Sequence, residues 1–283
     1  MTTETYECFT VEIADAVAHI RLSRPEKRNA MSPSFWTDLP AIVRDIDDNA
    51  RARAIVISAD TAGERPIFSA GIDVSMFGGG ELGSDKNHPQ AGAAFYLEVH
   101  RLQDAFNALE ECRVPVIAAI HGGCIGGGVD LITACDIRFA SADAFITIYE
   151  INVGMTADVG TFPRILNHMP EGVVRELAYT GRRMQADECE RRGLFNTVLP
   201  DQAALLDHAM ATAREIASKP PLAVYGCKRI ITYSRDHSTV EALDNIAVWN
   251  MSMLLPQEMM EAMVAKGAKR PGVFSDLPKR KAG

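Results

Sequence analysis

Residues 116–135 read VIAAIHGGCIGGGVDLITAC, in which an apolar run, a glycine-rich turn and a second apolar run follow one another directly. The first run, residues 116–120, is short and apolar, which predicts a buried strand. The second run, residues 129–135, predicts a buried helix that begins at the glycines of residues 126–128. Glycines let a ligand approach the backbone closely, and a helix N-terminus offers free N–H groups.

A second glycine-containing segment, FSAGID at residues 68–73, comes after another predicted buried strand, AIVI at residues 54–57. Together the two segments could hold an oxyanion between two N–H donors, each worth about 3–4 kcal/mol where mutation has tested it. Either segment alone more often marks a tight turn. A Rossmann or P-loop site is excluded, because residues 122–128 contain no G-x-G-x-x-G register and no Lys-Ser/Thr follows Gly127.

Three acidic residues lie just downstream of the glycine-rich turn. Asp130 stands in the first turn of the predicted helix, Glu150 ends an apolar-rich run, and Asp158 lies in ADVGT at residues 157–161. Each has a plain structural alternative: Asp130 favours a helix N-terminus, Asp158 caps the following helix, and Glu150 is an exposed residue at a strand end. Apolar neighbours of Asp130 and Glu150 favour raised pKa values and acid/base work instead.

The remaining composition excludes several classes of function. Clustered acids could bind a metal ion, but no histidine stands at ligand spacing and His121 alone is more often structural, so metal-free proton transfer is favoured. A net charge of −8 over 283 residues provides no basic surface for nucleic acid. The six cysteines form no CxxC pair, which indicates free thiols, and no apolar run reaches the roughly 20 residues that a membrane span needs.

The patterning predicts a mixed α/β chain in which strands come first and helices last. The predicted strands lie at residues 11–13, 16–22, 54–57, 116–120, 137–140 and 145–148. The predicted helices lie at residues 32–46, 94–110, 129–135, 173–179, 203–217, 224–233 and 240–259. Ser32 and Pro33 are typical of an N-cap and first turn, and residues 78–90 predict a surface loop. We therefore predict an α/β core over residues 1–200 and a helical region over residues 201–283.

Three ordered segments resemble those of the crotonase (enoyl-CoA hydratase/isomerase) superfamily. RPEKRNAM at residues 24–31 is similar to its early R-P-x-x-x-N-A segment, SAGID at residues 69–73 to its S-A-G-x-D segment, and residues 126–128 to its glycine turn. The likeness extends over about residues 8–260. It implies a crotonase-like spiral of β-β-α units, an acyl-CoA thioester substrate, and a helical C-terminal region that builds homotrimers, often paired into homohexamers.

Within the superfamily the chain most resembles the Δ3,5,Δ2,4-dienoyl-CoA isomerases, which carry acids at the positions of Asp130, Glu150 and Asp158. Generic hydratases have Glu at the first position and lack the third acid. The resemblance implies that Glu150 removes the proton at C2 and Asp158 protonates C6, while Asp130 orients or polarises its neighbours. It also implies an oxyanion hole formed by the N–H groups of Ile72 and Gly127. The residues implied to line the substrate site are Ser69, Ala70, Gly71, Ile72, Asp73 and Gly127.

Residues 233–238 and 249–254 also resemble C-terminal segments of these isomerases. The implied reaction belongs to fatty acid β-oxidation and needs no cofactor, because coenzyme A is part of the substrate. Two alternatives stay open: a 2-enoyl-CoA hydratase in which Glu150 activates water, and a non-catalytic acyl-CoA-binding protein that has kept the fold. The chain ends in KRKAG at residues 279–283 and not in S-K-L, and it shows no transit peptide, which favours a cytoplasmic location.

Overall fold

The computed structural model describes residues 2–77 and 89–280, which form two β-sheets with helices packed around them. The strands are β1 (Thr2–Thr5), β2 (Phe9–Ala14), β3 (Val17–Leu22), β4 (Ala54–Ala59), β5 (Ile67–Ser69), β6 (Val116–Ile120), β7 (Gly123–Ile125), β8 (Ile137–Ser141), β9 (Phe145–Thr147), β10 (Met184–Gln185) and β11 (Thr197–Leu199). The α-helices are α1 (Pro33–Asp48), α2 (Pro89–Glu111), α3 (Gly127–Thr133), α4 (Thr161–Ile165), α5 (Glu171–Thr180), α6 (Ala186–Arg192), α7 (Gln202–Ala217), α8 (Pro221–Tyr233), α9 (Thr239–Met253) and α10 (Pro256–Gly267).

The larger sheet has the strand order β1-β2-β3-β4-β6-β8-β11. Its first three strands are antiparallel and the others pair in parallel. The predicted strands at residues 11–13 and 16–22 form a hairpin, because β2 pairs with β3 around Asp15 and Ala16, whose φ angles of 52° and 59° close a tight turn. Every residue of β4 and β6 is buried, as expected for parallel strands covered on both faces.

The smaller sheet has the strand order β10-β9-β7-β5, and β5, β7 and β9 run parallel to one another. Parallel strands point the same way, so their carboxyl ends meet at one edge of the sheet. The chain leaves that edge in three segments: residues 70–73 after β5, Gly126 after β7, and residues 148–150 after β9. Ligands of open α/β sheets bind outside such an edge. This edge therefore brings the predicted site segments together.

Apolar side chains cover both faces of the larger sheet. The main core includes α1 and α2, whose Trp36 and Phe106 rings meet edge to face at 5.5 Å between centroids. On the other face, α7 lays Leu205 and Ala209 against strand residues such as Ile117. The first helix of the predicted C-terminal region thus packs on the sheet of the core. The predicted boundary at residue 200 stays a prediction.

Several elements differ from the sequence-based expectations. The single helix over residues 240–259 is wrong: the chain forms α9 and α10 there, because Pro256 lacks an N–H and holds Leu255 in an extended conformation. The strands β10 and β11 lie beyond Gly160, where a mostly helical chain was expected, and β1 was not predicted. With two to four residues each, these strands are too short to show a periodic pattern.

The predicted loop over residues 78–90 lies outside the described residues except for its last two positions. Those positions, Pro89 and Gln90, belong to the first turn of α2. Among the helices of the described residues, none has both the length and the apolar character needed to cross a bilayer.

Candidate active site

The turn after β5 is held by the segment that contains RPEKRNAM. Met31 donates its N–H to the Gly71 carbonyl at 2.9 Å, and Asp73 donates its N–H to the Met31 carbonyl at 3.1 Å. The buried Ser69 hydroxyl donates to the Asn29 carbonyl at 3.0 Å and accepts from the Gly71 N–H at 3.1 Å. Ser69 thus stabilises the turn, because its hydroxyl makes both hydrogen bonds with backbone groups.

Asn29 links this segment to the sheet. Its side chain accepts a hydrogen bond from the Arg24 N–H at 2.9 Å and donates to the Asp60 carbonyl at 2.9 Å. Asn29 is buried and has a φ of 51°, a left-handed conformation that asparagine tolerates better than most residues. The asparagine of the motif therefore has a structural role, which is to fix the support on which the turn after β5 rests.

The two predicted oxyanion donors are neighbours in space. Gly71 has a φ of +82°, and a Cβ there would lie 2.7 Å from the Ile125 carbonyl oxygen and 3.0 Å from the Gly127 nitrogen. A Cβ at Gly127 would lie 3.5 Å from the Ile72 nitrogen. Within the described residues, neither the Ile72 N–H nor the Gly127 N–H donates a hydrogen bond. Two free donors at one point can bind a single oxygen that carries developing negative charge.

The other predicted substrate-lining residues surround these donors. Ala70 is half-buried and donates its N–H to the Arg28 carbonyl at 2.9 Å. The Asp73 carboxylate accepts from the Ser75 N–H at 3.0 Å, and its hydrogen bonds with Ser75 lower the pKa of Asp73. Asp73 therefore stays ionised and begins the short 3₁₀ helix Val74–Phe77. Its carboxylate is occupied by the loop and is a poor candidate for proton transfer.

Asp130 is a fully buried carboxyl group in the first turn of α3. One oxygen, Oδ1, accepts from the Thr161 N–H at 2.6 Å, and the other, Oδ2, has no hydrogen-bond partner among the described residues. Burial, together with the nearby charge of Glu150, raises the pKa of Asp130 to about 7. One alternative from the sequence was that Asp158 caps the helix that follows it, which is α4. In the structure, Asp130 instead accepts the hydrogen bond from the N–H at the start of α4.

Glu150 begins a 3₁₀ helix, Glu150–Val153, just after β9. Its Oε1 lies beside Gly126, where a Cβ would be only 3.1 Å away, and its buried Oε2 has no partner within the described part of the chain. Burial raises the pKa of Glu150, and the charge of Asp158 adds to the rise. The alternative of an exposed residue at a strand end is wrong, because Glu150 is half-buried. A carboxylate with a raised pKa is a stronger base, as a proton acceptor requires.

Asp158 lies in the loop between the 3₁₀ helix and α4, and it is half-buried. Its charge raises the pKa of both Asp130 and Glu150, so the three carboxyl groups lie within electrostatic range of one another. The structure therefore brings together the three acids predicted from the sequence. It does so at the edge where the two free N–H groups also lie.

Sequence reasoning missed the residues that hold the Asp158 loop. Gln103 Nε2 donates to the Asp158 carbonyl at 2.6 Å, and Arg164 packs against Gly160. A signal was present, since the polar residues Gln103, Asn107 and Glu110 recur at helical spacing and therefore share one side of the helix. No cluster of His, Cys, Asp and Glu suited to a metal ion occurs within residues 2–77 and 89–280.

Comparisons with known proteins agree on one family. A family model described as Enoyl-CoA hydratase/isomerase matches residues 12–270. The mitochondrial Delta(3,5)-Delta(2,4)-dienoyl-CoA isomerase of Homo sapiens is 45% identical over 267 residues, which cover 92% of this chain and 79% of that protein. The peroxisomal protein of that name from Arabidopsis thaliana is 37% identical over 284 residues, covering 98% and 100%. The crystal structure of enoyl-CoA hydratase from Bacillus anthracis matches with a TM-score of 0.84 at 28% identity, covering 97% and 100%.

These relatives correct one prediction. The cytoplasmic location is wrong, because the similar proteins from mammals are named mitochondrial and the one from Arabidopsis thaliana peroxisomal. The prediction rested on two missing signals, an S-K-L ending and a transit peptide. A missing signal carries no information about the location that a chain does have.

Proposed function

The chain belongs to the enoyl-CoA hydratase/isomerase family, and we propose that it isomerises 3,5-dienoyl-CoA to 2,4-dienoyl-CoA. The crotonase-like α/β fold expected from the sequence is confirmed. The observation that carries the proposal is the convergence of three carboxyl groups, Asp130, Glu150 and Asp158, beside one pair of free N–H groups. Relatives at 44–45% identity that are named dienoyl-CoA isomerase favour this reaction over hydration.

The reaction begins at the thioester. Its carbonyl oxygen binds between the N–H groups of Ile72 and Gly127, which stabilise the negative charge that forms when C2 loses a proton. Removing one such donor typically costs about 3–4 kcal/mol of transition-state stabilisation. Glycine suits position 127, because a Cβ there would lie 3.0 Å from the Met31 sulfur and the Met31 side chain would have to shift to admit it.

The proton transfers follow from the conjugation of the substrate. Glu150 accepts the C2 proton, and the electron pair of that C–H bond spreads from the thioester oxygen to C6. Asp158, protonated when the substrate is bound, then gives a proton to C6, and the starting form returns when Glu150 releases its proton to solvent and Asp158 takes one up. Both double bonds shift from positions 3 and 5 to positions 2 and 4, and no electrons leave the substrate. Asp130, in the buried first turn of α3 and within electrostatic range of Glu150 and Asp158, orients or polarises these two neighbours.

The reaction needs no resident cofactor, since coenzyme A arrives as part of the substrate and only protons move. The proposed reaction belongs to fatty acid β-oxidation. The working form is a homotrimer or homohexamer, because α9 and α10 expose large apolar side chains that a second copy would cover. Val240 is 77% exposed, Met251 81% and Met263 63%.

An ultraviolet assay tests the proposed reaction. The purified protein is given 3,5-dienoyl-CoA and, separately, a 2-enoyl-CoA. We expect growing 2,4-dienoyl absorbance with the first substrate. Loss of conjugation in the second substrate, with no conversion of the first, would identify a hydratase in which Glu150 activates water. A protein that binds acyl-CoA and converts neither would be a non-catalytic binding protein.

Asp158→Asn separates the isomerase from the hydratase within the same site. We expect this variant to lose isomerisation by roughly a hundredfold or more, the usual contribution of a general acid. Exchange of the C2 proton with deuterated solvent should survive, because Glu150 and the two N–H donors still form the enolate. Unchanged isomerisation would remove Asp158 from the reaction.

A further inference from the structure

Helix α2 carries a polar face toward the Asp158 loop. Gln103, Asn107 and Glu110 stand at positions i, i+4 and i+7, so they share one side of the helix. All three are half-buried, whereas Phe106 and Leu109, on the neighbouring side of the helix, are fully buried in the main core. Half-buried polar groups next to a core need partners, and those partners show what this face does.

Gln103 holds the loop directly. Its Nε2 donates to the backbone carbonyl of Asp158 at 2.6 Å. This bond joins the loop to a 23-residue helix that is packed against α1 and anchored in the core. The position of the Asp158 backbone therefore depends on α2, which is far from Asp158 in the sequence.

Arg164 supports the same loop through its contact with Gly160. Its guanidinium donates to the Asn107 side chain at 2.6 Å and to the Glu110 carboxylate at 3.0 Å. Gly160, two residues after Asp158, lies directly against Arg164 Nη1, and a Cβ there would collide with it. Gly160 also has a φ of +132°, which L side chains rarely adopt. The loop thus packs directly against the buried Arg164, whose guanidinium is fixed by hydrogen bonds with α2.

The segment of residues 233–238 contributes to this network. Arg235 donates to the Glu110 carboxylate, which is thereby held between two guanidinium groups, those of Arg235 and Arg164. Gln103, Asn107, Glu110, Asp158, Arg164 and Arg235 line one pocket. The end of α8 is in this way tied to the face of α2 that supports the loop.

We propose that the polar face of α2 positions the Asp158 carboxyl group for proton transfer to C6, with Gln103 and Arg164 as positioning residues. The inference rests on the proposed isomerase function. Glu150 is fixed separately, at the end of β9 and beside Gly126. The network should therefore affect proton transfer from Asp158 to C6 and should not affect removal of the C2 proton by Glu150. A displacement of about 1 Å at a reacting group can cost roughly a hundredfold in rate.

Gln103→Met tests this assignment, because methionine has a similar size and cannot donate a hydrogen bond. We expect the kcat for 3,5-dienoyl-CoA to fall roughly tenfold to a hundredfold while KM stays within about twofold. C2-proton exchange in deuterated solvent should remain within about twofold of wild type, since Glu150 and its donors are untouched. Gln202→Met, the same substitution at the start of α7 beyond the other face of the larger sheet, is the matched control and should change neither rate.

The two rates also distinguish the possible failures. If isomerisation and C2 exchange in Gln103→Met fall together, or isomerisation does not change, the positioning role is overturned. Thermal unfolding of both variants shows whether a joint fall reflects lost structure, which also counts against a specific role. If the wild-type protein does not convert 3,5-dienoyl-CoA at all, it is the proposed function that fails, whatever the variants do.

Discussion

The site at the edge of the smaller sheet and the C-terminal helices α9 and α10 are stabilised in opposite ways. In the first region Asp130 is completely buried and the turn after β5 is held by hydrogen bonds with the segment around Asn29 and Met31. In the second, α9 buries no residue at all, and Met251 is 81% exposed. Contacts within this chain hold the site, whereas the C-terminal helices leave large apolar side chains exposed in the single chain.

The contrast concerns energy as well as shape. An isolated helix of 15 residues is marginally stable in water, so α9 depends on its few contacts. These include the Tyr225–Trp249 ring pair, at 5.1 Å between centroids, and the capping box formed by Ser238 and Glu241. Changes at the site should therefore alter chemistry without altering assembly, and changes in α9 should do the reverse.

Glu150→Gln should give the largest effect and is confined to the first region. The amide keeps the shape of the carboxylate but cannot accept the C2 proton, so we expect kcat to fall by roughly two to four orders of magnitude. Acyl-CoA binding and the molar mass in solution should match wild type. Steady-state kinetics, equilibrium binding and light scattering check these points. Glu111→Gln, on the exposed side of α2, is the control, and wild-type turnover in Glu150→Gln would exclude Glu150 as the base.

The same contrast explains which parts of the fold could be predicted. Long or strongly apolar elements such as β4, β6, α1 and α7 were predicted because their patterns reflect burial within this chain. The break between α9 and α10 was missed, although Pro256 marks it. There the apolar residues continue across the proline, because both helices present apolar side chains to the outside.

The site was predictable only in part. Local motifs indicated the donors at Ile72 and Gly127 and the acids at Asp130, Glu150 and Asp158. Contacts between distant segments were not predictable, because no local pattern encodes the bond from the Thr161 N–H to Asp130 or from Gln103 to the Asp158 carbonyl. Such contacts depend on how the strands are ordered in the two sheets, which a single sequence does not reveal.

Met251→Glu should disrupt assembly through α9 and α10 while leaving the site at the edge of the smaller sheet intact. If a second copy covers α9, the new carboxylate becomes an uncompensated charge in an apolar interface, which costs about 3–5 kcal/mol. Light scattering at equal protein concentration should then show a smaller species, and circular dichroism should show that the chain stays folded. Ala211→Glu on the exposed side of α7 is the control. An unchanged molar mass would place the assembly surface elsewhere.

Asp130→Asn should change how stability depends on pH. Because the pKa of Asp130 rises from 3.8 to about 7 on folding, the folded chain binds more protons than the unfolded chain between these pH values. The stability of the wild type therefore falls as pH rises through that window, by a few kcal/mol, since each pKa unit is worth about 1.4 kcal/mol. Asparagine does not ionise, so the variant should lack the part of this decline that Asp130 contributes, and a smaller decline from the raised pKa of Glu150 should remain.

Urea unfolding at pH 4.5 and pH 7.5 measures the difference between wild type and Asp130→Asn. Asp207→Asn, at an exposed carboxyl of α7, is the control and should behave as wild type. Equal pH dependence in the wild type and Asp130→Asn would mean that Asp130 is ionised throughout the range. Such a result would also remove the electrostatic basis for its role beside Glu150.

Ser238→Ala should give the smallest effect, and it probes the stability of α9 itself. The Ser238 hydroxyl accepts from the Glu241 N–H at 3.4 Å, and the Glu241 carboxylate accepts from the Ser238 N–H at 2.9 Å. Losing such a cap costs about 1 kcal/mol, so amide exchange in the first turn of α9 should speed up roughly fivefold. Ser234→Ala, at the end of α8, is the matched control and should leave α9 unchanged.

The cap should matter more when α9 is uncovered. In an assembled protein the partner's contacts hold the helix, and amide exchange then reports the whole interface rather than the cap. The change on Ser238→Ala should therefore be larger in the dissociated Met251→Glu protein than in the wild type. Amides of β4 and β6 should not respond in either protein, since they belong to the core. A response that spreads into those strands would mean that the two regions unfold as one unit, and the contrast between them would not hold.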